Sequence, residues 1–446
     1  MLGLVVFIVV FVRTELAIAL VLLSMLLSPE FAVGGAGGLA EKRQLVLRSE
    51  DLLLVLIGFS WLAKTAVNKE LGLVLRTALN GPILAYAGIT FFATLIGYVT
   101  GTVRTVTGFF YVLKYVEYFV VFFMVVNNLR DREQAWRLVA VAFATAMVVS
   151  LIGVAQIPGG QRVSAPFEGE SGEPNTFGGY LLLMMALAGG IALETPHLRI
   201  RIVCGGLVAL MSAPFVFTLS RSSYLGLVPL VAVLAILSNR RKVLIPLLLI
   251  VLAASPLLVA TAPTAVQKRV LETFRPQVDQ PRVQVGQVGF DPSTSERLLG
   301  YKGAVENWLT RPILGRGVTG GFFIDAQYPR TLMETGVLGI AALFWLIRAI
   351  LKSGLGAFRS LANPQDRGLA LGFVAGTVAL LFHAVGSNTF IIIRIMEPFW
   401  FFAAVVLTLQ RLQPGGARPT DAAPAVRKPL GVVRPRIAPA GRLSPR

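Results

Sequence analysis

The chain has 446 residues, of which 55% are hydrophobic and only 14% are charged, and its mean hydropathy is +0.72. This composition excludes an ordinary soluble globular domain, in which about 25% of residues are charged, and it predicts a polytopic membrane protein. One cysteine and two histidines exclude a disulfide framework or a Cys/His zinc site within one chain. The net charge of +18 needs no nucleic-acid partner, because basic loops orient membrane proteins and meet anionic lipid.

Apolar runs of membrane-spanning length recur along residues 1–409. A helix that crosses a bilayer needs about 20 mostly apolar residues, and about twelve such runs can be counted. We therefore predict an all-α, polytopic helical bundle with a long outer loop at 262–330 that contains short amphipathic helices. The N-terminal run lacks the basic region and cleavage site of a signal peptide, so we expect it to be retained. The approximate spans are 2–27, 49–67, 79–100, 106–126, 135–157, 175–193, 201–219, 222–238, 243–261, 331–351, 368–388 and 390–409.

The Lys and Arg residues of the short loops predict the orientation of this bundle. The tail 410–446 carries eight basic residues against Asp421, so it should be cytoplasmic; its Pro, Ala, Gly and Arg content also predicts disorder. Successive loops lie on alternate sides of the membrane. Counting back from the cytoplasmic tail therefore places both termini in the cytoplasm and the loop 262–330 outside. The other segments predicted to be cytoplasmic, all of them basic, are 348–367, 239–242, 197–201, 130–137 and 64–76.

The longest polar interruption of the apolar pattern, residues 293–339, should hold the chemistry. Ser293 and Glu296 have the spacing of a capping box and predict the start of a short helix. Arg297 falls within the apolar arc of that helix, and a buried guanidinium needs an anionic partner or a phosphate because it keeps its proton. The apolar arc consists of Leu298, Tyr301, Ala304, Val305, Trp308 and Leu309.

Two further outer segments carry candidate binding residues. Arg221 stands alone between two apolar runs at a predicted outer turn, where it could bind an external anion or extend to lipid phosphate. In the outer loop 158–174, Arg162 precedes three glutamates that could serve as a base, bind an acceptor or form a solvated acidic loop. Pro174 and Asn175 then suit a helix start. The glutamates are Glu168, Glu170 and Glu173.

Two pairs of ionisable residues lie inside predicted spans. Lys114 and Glu117 are three residues apart, as are Arg394 and Glu397, so each pair can meet on one helix face. Such residues are costly in a membrane. They can be neutralised pairs that hold helices together, or part of a site.

The polar segments together resemble a known family. In their order they are similar to the O-antigen ligase and polymerase family of bacterial envelope enzymes, over roughly residues 135–350. The segments are Arg162 with GEPNTFGGYL, the turn Leu219-Ser220-Arg221-Ser222, and Arg297 with Trp308, Pro312, Gly315, Gly317 and AQYPRTLMETGVLG.

This resemblance implies a metal-independent glycosyltransferase without a cofactor, in the bacterial inner (cytoplasmic) membrane. Such enzymes take a glycan from an undecaprenyl diphosphate carrier and attach it to an acceptor sugar at the outer face. In ligases the acceptor is lipid A-core, and in polymerases it is another carrier-linked repeat. The arginines of the family bind the diphosphate; Arg221 and Arg297 match their positions, and we assign Arg162 to the same site.

The sequence departs from the family where the outer loop returns to the membrane. Ligases usually have a histidine there, and this chain has Asp325. A carboxylate can act as the base for an acceptor hydroxyl if burial or the nearby Glu334 raises its pKa, so we assign Asp325 and Glu334 as catalytic candidates. The alternative is that Asp325 caps the tenth span. Ligase and polymerase both stay open.

Two rival functions are a transporter and a protein O-oligosaccharyltransferase. A transporter of a lipid-linked or anionic solute would line its path with the charged pairs of the spans, and it predicts paired charges near the midplane with broken helices in related halves. The charge gathered in one long outer segment favours transfer chemistry at the surface instead. An oligosaccharyltransferase would differ only in its acceptor.

Overall fold

The computed structural model of the protein describes residues 14–28, 30–33, 45–67, 76–166, 172–253, 264, 266–267, 284–285, 288–289 and 292–413. Several predictions fall outside these residues: most of the cytoplasmic tail, the start of the first span, Glu168 and Glu170, and most of the first half of the loop 262–330.

The described residues are predominantly helical, as predicted. The helices before the long loop are α1 (Thr14–Leu27), α2 (Ser49–Val67), α3 (Asn80–Val99), α4 (Thr107–Asn128), α5 (Arg132–Gln156), α6 (Pro174–Glu194), α7 (Leu198–Phe217), α8 (Arg221–Leu237) and α9 (Arg241–Ala253). Those after it are α10 (Pro292–Leu309), α11 (Gln327–Ser360), α12 (Pro364–His383) and α13 (Ile393–Arg411). Two antiparallel hairpins, which the all-α prediction omits, are β1 (Glu30–Val33) with β2 (Leu45–Arg48) and β3 (Gln284–Val285) with β4 (Val288–Gly289).

Each of the twelve predicted spans overlaps one described helix, and α10 is the additional helix of the outer loop. Seven helices in the described part of the chain are long and apolar enough to cross a membrane, namely α3, α4, α5 with the following 3-10 turn, α6, α7, α11 and α13. Helices α1 and α8 are apolar but shorter. A multi-pass membrane protein is therefore supported, and twelve crossings stay a prediction.

The centre of the bundle is built from α6, α12 and α13. Helix α12 packs most extensively against α6 and then against α8. Its Gly368 and Gly372 lie directly on α6, since a Cβ at Gly372 would be 2.5 Å from the Ala186 carbonyl oxygen. Small residues spaced by four allow this close helix approach in membranes, where apolar burial between helices contributes little.

Helix α13 is enclosed by its neighbours, and residues 393–406 are all buried. Trp400 packs edge-on against Phe119 of α4, with ring centroids 4.9 Å apart. Arg394 donates to the carbonyl oxygens of Pro166 and Ser28, at 3.1 and 3.3 Å. These contacts tie α13 to two other segments.

Buried carboxylates join the helix ends that the charge pattern places in the cytoplasm. Glu194, at the end of α6, lies 2.9 Å from Arg367 of α12 and also accepts from Asn239 Nδ2 at 2.7 Å. Asp366 of α12 lies 2.8 Å from Arg132 of α5. Satisfied carboxylates of this kind fix the relative heights of neighbouring helices.

Helix α11 is interrupted at Gly336, which has φ 65° and ψ −163°. The interruption leaves some backbone groups of α11 without a hydrogen-bond partner inside the helix. The segment 312–317 supplies the missing partners. Arg316 and Gly317 donate their backbone N–H groups to the carbonyls of Met333 and Glu334, at 3.0 and 2.8 Å. In return Val337 N–H donates to the Pro312 carbonyl at 2.9 Å. The outer segment is thereby fixed to α11.

We expect Gly336→Ala to lower the thermal midpoint of the protein. A Cβ at this position would lie 2.3 Å from the Ile313 carbonyl oxygen, and the backbone conformation is accessible mainly to glycine, at a cost of about 1–3 kcal/mol for other residues. The measurement is the thermal midpoint of the detergent-purified protein. The matched control is Gly205→Ala in α7, where an added Cβ meets nothing within 4 Å. An unchanged midpoint for Gly336→Ala would contradict the described interruption.

We also expect opposite membrane faces for Lys302 in α10 and Lys352 in α11, which are both exposed. The single Cys204 is changed to serine, and a cysteine is placed at either lysine. A membrane-impermeant maleimide should label Lys302→Cys in intact cells, and it should label Lys352→Cys only after permeabilisation. Labelling of both in intact cells would overturn the predicted topology.

Candidate functional site

The carboxylate of Asp325 lies where three separate parts of the chain meet, just before α11. Asn388, between α12 and α13, donates its Nδ2 hydrogen to Asp325 Oδ1 at 3.3 Å. Asn175, in the first turn of α6, donates to Oδ2 at 3.4 Å. The N-cap residue of α11 is Ala326, so the alternative prediction that Asp325 caps this helix is wrong. Both oxygens are held by amide groups, and 36% of the side chain is exposed.

Arg297 supplies the positive charge next to this carboxylate. Its Nη2 is 3.9 Å from Asp325 Oδ2, and 25% of its side chain is exposed. The helix α10 that carries it starts at Pro292, which confirms the predicted helix. The Ser293 side chain lies outside the described residues, so the capping box stays a prediction. The anionic partner of Arg297 in the structure is thus an internal aspartate.

The predicted buried arc of α10 is only partly correct. Ala304 is buried, and Tyr301 is half-buried and donates its hydroxyl hydrogen to the Val385 carbonyl at 2.6 Å. The predicted arc members Leu298, Val305 and Leu309 are exposed. In a membrane protein an apolar side chain can face lipid, so hydrophobicity does not identify the protein-facing side.

Burial raises the pKa of Asp325 above its ordinary value. The positive charge of Arg297 and a backbone hydrogen bond from Asn388 oppose this increase, whereas the negative charge of Glu173 adds to it. The sequence prediction named Glu334 as the neighbouring carboxylate; the structure places Glu173 in that role. A carboxylate with a raised pKa is a stronger base once it is ionised.

Ser222, the neighbour of Arg221, and Arg297 approach the same glycine from different helices. Arg221 is half-buried in the first turn of α8, next to Ser222, which donates its hydroxyl hydrogen to the Gly386 carbonyl at 2.8 Å. A Cβ at Gly386 would lie 3.3 Å from Arg297 Nη1. The start of α8 and the guanidinium of Arg297 therefore border one small area around Gly386.

A hydrogen-bonded network connects Asp325 with the start of α8. Asn175 accepts at Oδ1 from the Ser220 hydroxyl at 2.8 Å, and Ser220 is the N-cap of α8. The backbone carbonyl of Asn175 is 3.2 Å from His383 Nε2, and His383 Nδ1 is 2.7 Å from Thr389 Oγ1. A carbonyl only accepts, so Nε2 carries the proton in this neutral histidine. His383 is fully buried and joins the first turn of α6 to the turn before α13.

Two adjacent glycines of the GEPNTFGGYL segment permit this assembly. A Cβ at Gly178 would be 2.2 Å from Ser223 Oγ, and one at Gly179 would be 3.0 Å from His383 Cε1. Any larger residue would separate α6 from α8 and α12.

Arg162 supports the turn before Arg221. Its Nε donates to the Thr218 carbonyl at 2.9 Å, and its Nη2 is 3.5 Å from the Leu219 carbonyl oxygen. Leu219 has φ 49°, a left-handed conformation that is costly for leucine. Arg162 thus stabilises a strained turn, which fits a positioning role better than the predicted contact with diphosphate.

Glu334 is separate from the Asp325 contacts. It forms an ion pair with Arg330, with Nε and Oε1 3.2 Å apart, and both side chains are almost fully buried. It also accepts from the Thr319 backbone N–H at 3.3 Å. Glu334 therefore joins the outer segment to α11. Its catalytic role stays a prediction.

Sequence reasoning missed the contribution of residues 383–389. The prediction treated 368–388 as one span, but α12 ends at His383 and residues 384–392 are not α-helical. The available signal was the polar sequence Gly386-Ser387-Asn388-Thr389 between two apolar helices. That signal marks a turn, yet it does not show which site the turn faces.

Comparison with known proteins supports the resemblance. The model of the family described as O-Antigen ligase matches residues 206–344, about a third of the chain. Arg221, Arg297, Asp325 and Glu334 lie within this range, whereas Arg162, Asn175 and Asn388 lie outside it. No curated protein matches the chain. The resemblance to the O-antigen ligase family is therefore confirmed over the range that carries Arg221, Arg297 and Asp325.

Proposed function

We propose that this protein is a membrane glycosyltransferase of the ligase or polymerase type, which transfers a glycan from an undecaprenyl diphosphate carrier to an acceptor sugar at the outer face of the inner membrane. The observation that carries the proposal is the contact of Asp325 with Arg297 inside the range matched by the family model, a range that also contains Arg221. The acceptor is lipid A-core for a ligase, or a carrier-linked glycan for a polymerase.

The two arginines would stabilise the leaving group. As the bond between the anomeric carbon and the diphosphate oxygen breaks, negative charge collects on the diphosphate. Guanidinium groups fixed by a protein stabilise such charge in a partly desolvated site. Because Arg297 is only loosely paired with Asp325 at 3.9 Å, an arriving diphosphate can compete for it.

Asp325 would act as the base for the acceptor. The acceptor hydroxyl oxygen attacks the anomeric carbon, its proton passes to the carboxylate, and the carrier diphosphate leaves. A diphosphate leaves as an anion without protonation, so a general acid is dispensable, and the family resemblance implies a metal-independent reaction. The amide groups of Asn175 and Asn388 would keep the carboxylate oriented, which matters because proton transfer requires hydrogen-bond distance.

Transport is supported less well. A transport path lined by Arg394 would need this residue to face a solute, but its guanidinium donates to two backbone carbonyls and is fully buried. That arrangement fits a structural tie between segments. Transfer to a protein acceptor stays a second candidate, since the donor chemistry would be the same.

Deletion of the gene followed by gel analysis of the surface glycan separates the candidates. Loss of chain length with one repeat still attached identifies a polymerase. Loss of all attached glycan with accumulation of carrier-linked polymer identifies a ligase. An unchanged glycan ladder would overturn both.

A further inference from the structure

A cleft lies at the end of the bundle remote from Asp325. It has a volume of about 370 Å³, and its walls come from α11, from Ala78 shortly before α3 and from the end of α13. One face of α11 supplies Trp345, Arg348, Lys352 and Gly356, at the spacing that aligns side chains along a helix. Gln410 of α13 closes the other side. None of the lining residues is acidic.

The position of this cleft matches an inner membrane surface. Its walls join three segments that the charge pattern places in the cytoplasm: those near residues 76–78, 348–356 and 410. Arg348 lies on the part of α11 that follows the interruption at Gly336, and the 12 residues from Gly336 to Arg348 correspond to about 18 Å of helix. Trp345 is half-exposed, and tryptophan is enriched at the depth of lipid headgroups.

The cations of the cleft lack a carboxylate partner among the described residues. Among the described residues, neither Arg348 nor Lys352 takes part in an ion pair. Both line the cleft. This differs from Arg132 and Arg367 at the same end of the bundle, which are both paired with buried carboxylates. A planar guanidinium and an ammonium one helical turn apart are suited to the oxygens of a phosphate group.

We propose that this cleft binds the phosphate headgroup of an anionic phospholipid of the inner leaflet. The phosphate contacts Arg348 and Lys352, the glycerol region lies against Trp345, and the acyl chains continue along the apolar outer surface of α11, where Phe344 is 53% exposed. Basic pockets between membrane helices on the cytoplasmic side have this ligand chemistry. The site is independent of the transfer chemistry at the opposite end.

Native mass spectrometry of the full chain in detergent tests the site. The protein is titrated with phosphatidylglycerol, and the variant R348Q/K352Q is compared with R240Q. Arg240 is an exposed cation at another turn predicted to be cytoplasmic, and it does not line the cleft. We expect the double variant to bind phosphatidylglycerol about ten-fold or more weakly, since each basic residue near anionic lipid changes binding severalfold. R240Q should bind like the wild type.

Two results would overturn the assignment. Equal affinity of R348Q/K352Q and wild type would show that the phosphate does not bind here. Binding of sn-glycerol 3-phosphate as tightly as phosphatidylglycerol would show a soluble phosphate ester as the ligand rather than a lipid. Neither readout depends on glycan transfer.

Discussion

Arg221→Ala and Arg297→Ala are each expected to lower kcat/KM for glycan transfer by at least about a hundred-fold, the loss typical of one preorganised group that stabilises transition-state charge. The reason is the charge on the departing diphosphate, which these two guanidiniums would stabilise. The Lys variants should keep part of the activity, because the charge remains but the bidentate geometry is lost. The measurement is transfer by the purified protein from a lipid diphosphate donor.

Arg311→Ala is the matched control for this experiment. Arg311 follows the same helix α10, but its guanidinium donates to Thr100 Oγ1 and does not contact Asp325. It should retain near-normal transfer. If Arg221→Ala and Arg297→Ala were purified in good yield with full activity, the assignment of the diphosphate site would be wrong, whereas the lipid cleft at Arg348 would be unaffected.

The sequence predicts the apolar helices well because the bilayer requires long runs of apolar residues. Every predicted span overlaps a described helix, even where its exact limits differ. The clearest error is at the end of α12, where Ala384 and Val385 continue the apolar pattern after the helix has stopped at His383. The apolar composition of a segment indicates that it is surrounded by lipid or protein. It does not distinguish a turn from a helix when both are buried.

The residues of the site are less predictable than the helices. The position of Arg297 on the protein-facing side of α10 is foreseeable because a guanidinium avoids lipid. Its contact with Asp325 depends on the interruption at Gly336 and on the backbone pairing of 312–317 with α11. The contacts of Asn175 and Asn388 with Asp325 join residues 150 and 63 positions away. No local pattern encodes them.

Asp325→Asn is expected to reduce kcat for transfer by about 10²–10⁴-fold, the usual contribution of a general base. The amide has a similar shape and can still be held by its neighbours, so the folded structure should persist while the proton acceptor is lost. The thermal midpoint of the purified variant serves as the control for folding. Glu334→Gln removes a charge from the buried pair with Arg330 and should instead lower the midpoint.

Asp325→His tests whether any general base at this position supports transfer or whether a carboxylate is required. The resemblance places a histidine here in ligases, and imidazole is a competent base with an ordinary pKa of about 6.5. We expect this variant to exceed Asp325→Asn in activity. Equal, negligible activity of the two variants would indicate that only a carboxylate fits between the two asparagines.

The pH dependence provides a sharper test because its direction follows from the contacts. Only the ionised carboxylate accepts a proton, so the rate should increase as the pH rises through the pKa of Asp325, which burial places above its ordinary value. The positive charge of Arg297 opposes this effect and lowers the pKa. Arg297→Gln should therefore raise it and displace the rising limb of the kcat/KM profile to higher pH, in addition to the lower rate expected from the lost diphosphate contact. A uniform loss of rate at every pH, with the limb unmoved, would remove Asp325 as the base.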